Sequence, residues 1–142
     1  MRRRLPPLVL PCALALLALA AGCDSNSTRS PRTTQTVVLS PDQKEQEAKI
    51  QTVTAIRVVL PGPEAGTGLV WEIGSNNGRV LYQMGPLKTV PAQAAAGSAA
   101  TTTVSFYALN PGRSVIRFFL VRPNLAEAVP EAACTLAVLV EE

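Results

Sequence analysis

The chain has 142 residues, 13 Lys and Arg against 10 Asp and Glu, three cysteines and no histidine. That length suits one small domain with appendages, and without histidine there is no Ser–His or Cys–His nucleophilic pair and no imidazole metal ligand. Arg2, Arg3 and Arg4 lie in a segment expected to be removed, leaving 13 − 3 = 10 basic against 10 acidic residues, and a neutral chain with scattered arginines offers no basic stripe to nucleic acid.

Residues 1–22 read as a targeting segment. Arg2 to Arg4 form its charged end, Leu8 to Leu19 an apolar run broken by Pro11, and Ala20, Ala21 and Gly22 lead to Cys23. This order resembles a bacterial lipoprotein signal, with Ala20 where that family favours leucine and Leu19 one position earlier. The resemblance implies cleavage before Cys23, a diacylglyceryl group on its thiol and an acylated amino end, so that the lipid bilayer is a partner and the bacterial cell envelope the location. Several acyl chains on one cysteine anchor a protein effectively permanently. An ordinary secretory signal or an uncleaved anchor helix is the alternative. Asp24 resembles the inner-membrane retention signal of enteric lipoproteins, a rule that is not general, so the leaflet stays open.

Residues 23–36 are expected to form a lipidated, disordered tether of Ser, Thr, Asn, Arg and Pro, spanning at most about 40 Å when extended. The folded domain is expected over 37–142. Thr36 to Ser40 suits an edge strand, and Gln43 to Lys49, with Glu45 and Glu47 on a solvated face, suits a helical turn or polar loop. Thr52 to Leu60 reads as a strand with Ile56, Val58 and Leu60 on one face. Pro61, Gly62, Pro63, Gly66 and Gly68 make an irregular loop. Leu69, Trp71 and Ile73 alternate next, Ser75-Asn76-Asn77-Gly78 turns the chain, and Val80, Tyr82 and Met84 form a further strand. Residues 91–102 read as an Ala/Gly/Ser-rich connector. Thr103 to Asn124 reads as a β-hairpin about Asn110-Pro111-Gly112-Arg113, with Gly112 at the third position of a type II turn. After a loop from Pro123 to Ala132, Leu136, Val138 and Val140 define the last strand.

About seven short strands without a helical pattern predict an all-β, immunoglobulin-like β-sandwich with Trp71 as its core aromatic. Cys12 leaves with the signal and Cys23 carries lipid, so Cys134 stands alone and is expected as a buried, unreactive thiol. No cofactor, metal site or catalytic residue is expected, and the chain does not read as an enzyme.

From Thr52 onward the order of features, above all Val104-Ser105-Phe106-Tyr107-Ala108-Leu109-Asn110-Pro111-Gly112 leading to Arg122-Pro123, resembles the chagasin-type inhibitors of cysteine peptidases. Their immunoglobulin-like fold carries three loops that occlude the cleft of papain-like peptidases. The first loop reads Asn-Pro-Thr-Thr-Gly-Tyr before a Trp, the second Gly-x-Gly, and the third Arg-Pro-Trp. Here Thr67, Gly68 and Trp71 match the first, while Glu64, Ala65, Gly66 and Leu69 replace its Asn, Pro, Thr and Tyr. Gly97-Ser98-Ala99 keeps one glycine of the second, and Arg122-Pro123-Asn124 lacks the aromatic of the third. The resemblance implies a lipid-anchored inhibitor of a papain-like cysteine peptidase, acting by reversible, non-covalent occlusion. The alternative is an envelope protein–protein interaction module of the same fold that does not inhibit.

Overall fold

The computed structural model describes residues 33–43, 45–93, 99–123 and 129–142. These residues form nine strands and no helix: β1 (Thr34–Val38), β2 (Gln46–Gln51), β3 (Ala55–Pro61), β4 (Val70–Ser75), β5 (Leu81–Gln83), β6 (Lys88–Val90), β7 (Thr101–Ala108), β8 (Gly112–Val121) and β9 (Ala132–Glu141). One sheet has the order β1-β3-β7-β5, with β6 also paired to β7, and the other has the order β2-β9-β8-β4. The pairs β1–β3 and β2–β9 are parallel and the rest antiparallel.

Period-two alternation explains the stacking, since each strand turns its apolar residues to one side. Ile56, Val58, Leu60, Leu81 and Phe106 from the first sheet meet Ile116, Phe118, Leu136 and Val138 from the second, and all are fully buried. Each such side chain contributes roughly 1.5–3 kcal/mol on burial, and with no disulfide among the described residues this core is the main source of stability. The architecture is the all-β, immunoglobulin-like sandwich that the sequence predicts. Cys134 is a free thiol, 2% exposed, and burial raises its pKa above the ordinary value.

Four expectations are corrected. The hairpin does not form: β7 pairs with β3, β5 and β6, whereas β8 pairs with β4 and β9. Residues 109–111 instead carry the chain from one sheet to the other, so that Phe106 and Phe118 face the same core from opposite sides. Gly112 has φ 143°, far from the about +80° of a type II turn. The corner bonds to the β4–β5 connection, with Leu109 N donating to Val80 O at 2.9 Å and Asn110 Nδ2 to Arg79 O at 2.7 Å.

Gln43 to Lys49 holds neither a helical turn nor only a loop, because strand β2 starts at Gln46 with Ala48 and Ile50 buried and Glu47 and Lys49 in solvent. In β5 the inward residue is Leu81, while Tyr82 is 58% and Met84 48% exposed. Val80 belongs to the preceding turn, its N–H bonded to Asn77 O at 3.0 Å, so alternation counted from it slips by one residue. Strand β1 begins at Thr34, inside the segment expected as tether.

Candidate functional site

Strand register sets the site. Pro61 at the end of β3 and Val90 at the end of β6 both lie opposite Thr101 at the start of β7. In the other sheet Val70 of β4 lies opposite Val121 of β8, and Leu120 of β8 opposite Ala132 of β9. The connections 62–69, 91–100 and 122–131 therefore leave the sandwich at one pole. They are the three loops singled out in the sequence.

The first loop crosses between sheets, and its base is closed by Trp71, whose Nε1 donates to Pro61 O at 2.7 Å. The indole is 5% exposed and so serves both as core and as a clamp. At the tip, Thr67 N donates to Glu64 O at 3.3 Å and Thr67 Oγ1 donates to the same oxygen at 2.7 Å. Gly66 between them has φ 81° and Gly68 has φ 69°, the left-handed region that only glycine enters freely. The loop is thus shaped by its own hydrogen bonds before it meets anything. Glu64, Ala65, Gly66 and Gly68 are exposed and Thr67 half-buried. Leu69, placed in the loop by the sequence reading, is only 9% exposed and supports the loop from beneath.

The second loop docks against the first through a contact that the sequence reading missed. Gly62 N donates to Ala100 O at 2.7 Å, and a Cβ on Gly62 would lie 2.4 Å from the Ala100 methyl. No side chain fits there. Between the two loops lies a groove of about 550 Å³ lined by Pro61, Pro63, Leu69, Pro91 and Ala100. Ala99 is exposed beside it, while Gly97 and Ser98 fall outside the described residues.

In the third loop Arg122 and Pro123 are exposed and Asn124 lies outside the described residues, as does Cys23. Arg122 Nε and Nη2 donate to one carboxylate oxygen of Glu131 at 3.3 and 3.2 Å. The backbone N–H of Glu131 donates to Leu120 O at 2.9 Å, which ties the carboxylate to the end of the β8–β9 ladder. Glu131 was also missed, because nine positions across a loop carry no periodic signal. Among the described residues no group of three His, Cys, Asp or Glu could hold a metal ion.

No protein-family model and no curated protein matches the chain. Solved structures do. The chain is similar to the cysteine protease inhibitor EhICP2 from Entamoeba histolytica, with a TM-score of 0.61 at 16% identity over 78% of this chain and 99% of that one. It is similar to amebosin, with a TM-score of 0.55 at 22% identity over 78% and 99%. A third is PbICP-C, solved in complex with falcipain-2, with a TM-score of 0.52 at 15% identity over 75% and 99%. At these identities the likeness is one of fold, and it covers almost the whole of each comparison chain.

Proposed function

We propose that the chain is a chagasin-type inhibitor of a papain-like cysteine peptidase, held in the bacterial envelope by lipid on Cys23, and that its three loops occlude the peptidase cleft reversibly. The observation that carries this reading is the gathering of the connections 62–69, 91–100 and 122–131 at one pole, on a fold that matches nearly the whole chain of a cysteine protease inhibitor. A comparison structure in which PbICP-C is in complex with falcipain-2 supports that kind of partner.

The chemistry is one of exclusion. Gly66 and Gly68 have open space where a Cβ would be, so the tip of the first loop brings bare backbone to a narrow cleft. Because the two hydrogen bonds from Thr67 to Glu64 O hold the tip beforehand, less conformational entropy is lost on binding. No bond to the peptidase forms or breaks. The alternative, an interaction module without inhibition, draws on Leu69, whose burial removes the large exposed apolar residue that would anchor the first loop.

Titration of the soluble chain from Cys23 to Glu142 against a panel of papain-like peptidases decides between them. Competitive, dilution-reversible inhibition is expected. Absence of inhibition at high micromolar concentration across the panel would abandon the inhibitor for the interaction module. The anchor is tested separately: Cys23→Ala should accumulate an uncleaved precursor, and wild-type protein recovered in the soluble fraction with a free amino end would remove the lipid from the reading.

A further inference from the structure

The loops occupy one pole, and the chain enters the domain at the other. Thr33 O accepts from Ala55 N at 2.9 Å, and Ala55 pairs with Tyr107 at the far end of β7 from Thr101. Strand β1 then runs parallel to β3, toward the loops, with Val38 opposite Val59. Thr52 N donates to Glu141 O at 2.9 Å at the same far pole, where β2 ends beside β9. Thr33, Gln51, Thr54 and Glu141 surround one shallow depression there.

We infer that the anchored domain stands with its three loops pointing away from the membrane, so that it meets a peptidase approaching from the aqueous side and not one whose cleft opens at the surface of the same bilayer. The inference rests on the anchoring and inhibitory readings above. Chain lengths favour this orientation. From Ala55 to Pro61 the strand rises six steps, about 20 Å at about 3.3 Å per residue, and the loops extend beyond it. From Cys23 to Thr33 there are 33 − 23 = 10 steps, which span at most about 35 Å. To turn the loops onto the lipid, that segment would have to run up the whole flank of the sandwich and past the loops, which takes more than half of its reach of about 35 Å. Upright presentation needs no such stretching, and stretching a chain costs conformational entropy.

The test uses the chain from Cys23 onward, coupled through the Cys23 thiol to a maleimide lipid in phosphatidylcholine vesicles, so that it does not depend on lipidation in the cell. Cys134 is buried and its thiol is held protonated, which directs the coupling to Cys23. A dye is attached at p-azidophenylalanine in place of Gln51 or of Ala65, and a nitroxide on the lipid headgroups serves as quencher. The dye at position 51 should be quenched severalfold more than the dye at position 65, and vesicle-bound chain should inhibit a soluble papain-like peptidase as strongly as free chain does. Equal quenching at both positions, or inhibition by the free chain that is lost on the vesicle, overturns the inference. A peptidase inhibited by neither form counts against the inhibitory reading alone, and quenching then decides the geometry.

Discussion

The indole N–H of Trp71 donates to the carbonyl of Pro61 at 2.7 Å, tying the second residue pair of the β4–β8 ladder to the last residue of β3. The two residues belong to different sheets, so this one bond sets how far apart the two ends of the first loop stand. Trp71→Phe keeps an apolar ring but deletes the donor. The expected cost is roughly 1–3 kcal/mol from the lost hydrogen bond and the space left by the smaller ring, read as a lower urea midpoint with unchanged slope. Inhibition should weaken in the same variant, because the base of the loop is released. A variant as stable and as inhibitory as wild type would show that the clamp is idle.

Gly62 offers a sharper probe of the site, since it holds two loops together without itself facing outward. A methyl there meets the Ala100 methyl at 2.4 Å and the backbone of Thr101 at 2.8 Å. Gly62→Ala should force the first and second loops apart, costing about 1–3 kcal/mol in stability and on the order of tenfold in inhibition. Gly78→Ala provides the contrast. Its methyl meets open space in the connection between β4 and β5, outside the three loops, so stability and inhibition should both stay close to wild type. If Gly62→Ala inhibits as well as Gly78→Ala does, contact between the loops is not what matters.

Much of the fold was legible because burial leaves a period. Ile56, Val58 and Leu60 in β3 and Leu136, Val138 and Val140 in β9 are buried as their alternation predicts. The period says which face is buried but not which strand lies alongside, and this is why β7 and β8 read as a hairpin. In β2 the small Ala48 hides the alternation and the charges of Glu47 and Lys49 dominate, although they are only the solvent face. At the site, Thr67, Gly68, Arg122 and Pro123 carried a motif. Their supports did not: Gly62 to Ala100 and Arg122 to Glu131 are contacts across loops, where no spacing rule operates.

Val53 has φ 66° in the tight connection between β2 and β3, where its N–H donates to Ala108 O at 3.1 Å. A β-branched residue in the left-handed region is strained, by about 1–3 kcal/mol. Val53→Asn should relieve that strain without the unfolded-state entropy that glycine adds, and raise stability by on the order of 1 kcal/mol. The connection lies at the pole opposite the loops, so inhibition should not change. A lower urea midpoint for Val53→Asn would mean that the packing of the valine outweighs its strain.

Cys134 packs against the core with its pKa raised by burial from the ordinary 9.0. The folded protein favours the protonated thiol, so its contribution to stability is complete below pH 9.0 and declines as the pH rises from there through the folded value. Cys134→Val should abolish that alkaline decline, measured as urea midpoints between neutral and alkaline pH. Cys134→Ser should instead cost about 1–3 kcal/mol at neutral pH, because it buries a hydroxyl where a thiol had been. Rapid labelling of the native wild type by a thiol reagent would contradict the burial on which both expectations stand.

The pair Arg122–Glu131 separates a stabilising role from a positioning one. Its side chains are 57% and 48% exposed, and exposed ion pairs contribute at most about 1 kcal/mol to folding. Glu131→Ala should therefore move the unfolding midpoint little. Its effect on inhibition should be larger, because a released Arg122 must be immobilised again at the peptidase surface, at about 0.5–1.5 kcal/mol, or roughly two- to tenfold in affinity. Arg122→Ala should weaken inhibition at least as much, and adding Glu131→Ala to it should do nothing further, since the carboxylate acts only through the guanidinium. Raising the salt concentration should shrink the effect of Glu131→Ala by screening the pair. Additive effects of the two substitutions would show that Glu131 meets the peptidase on its own account.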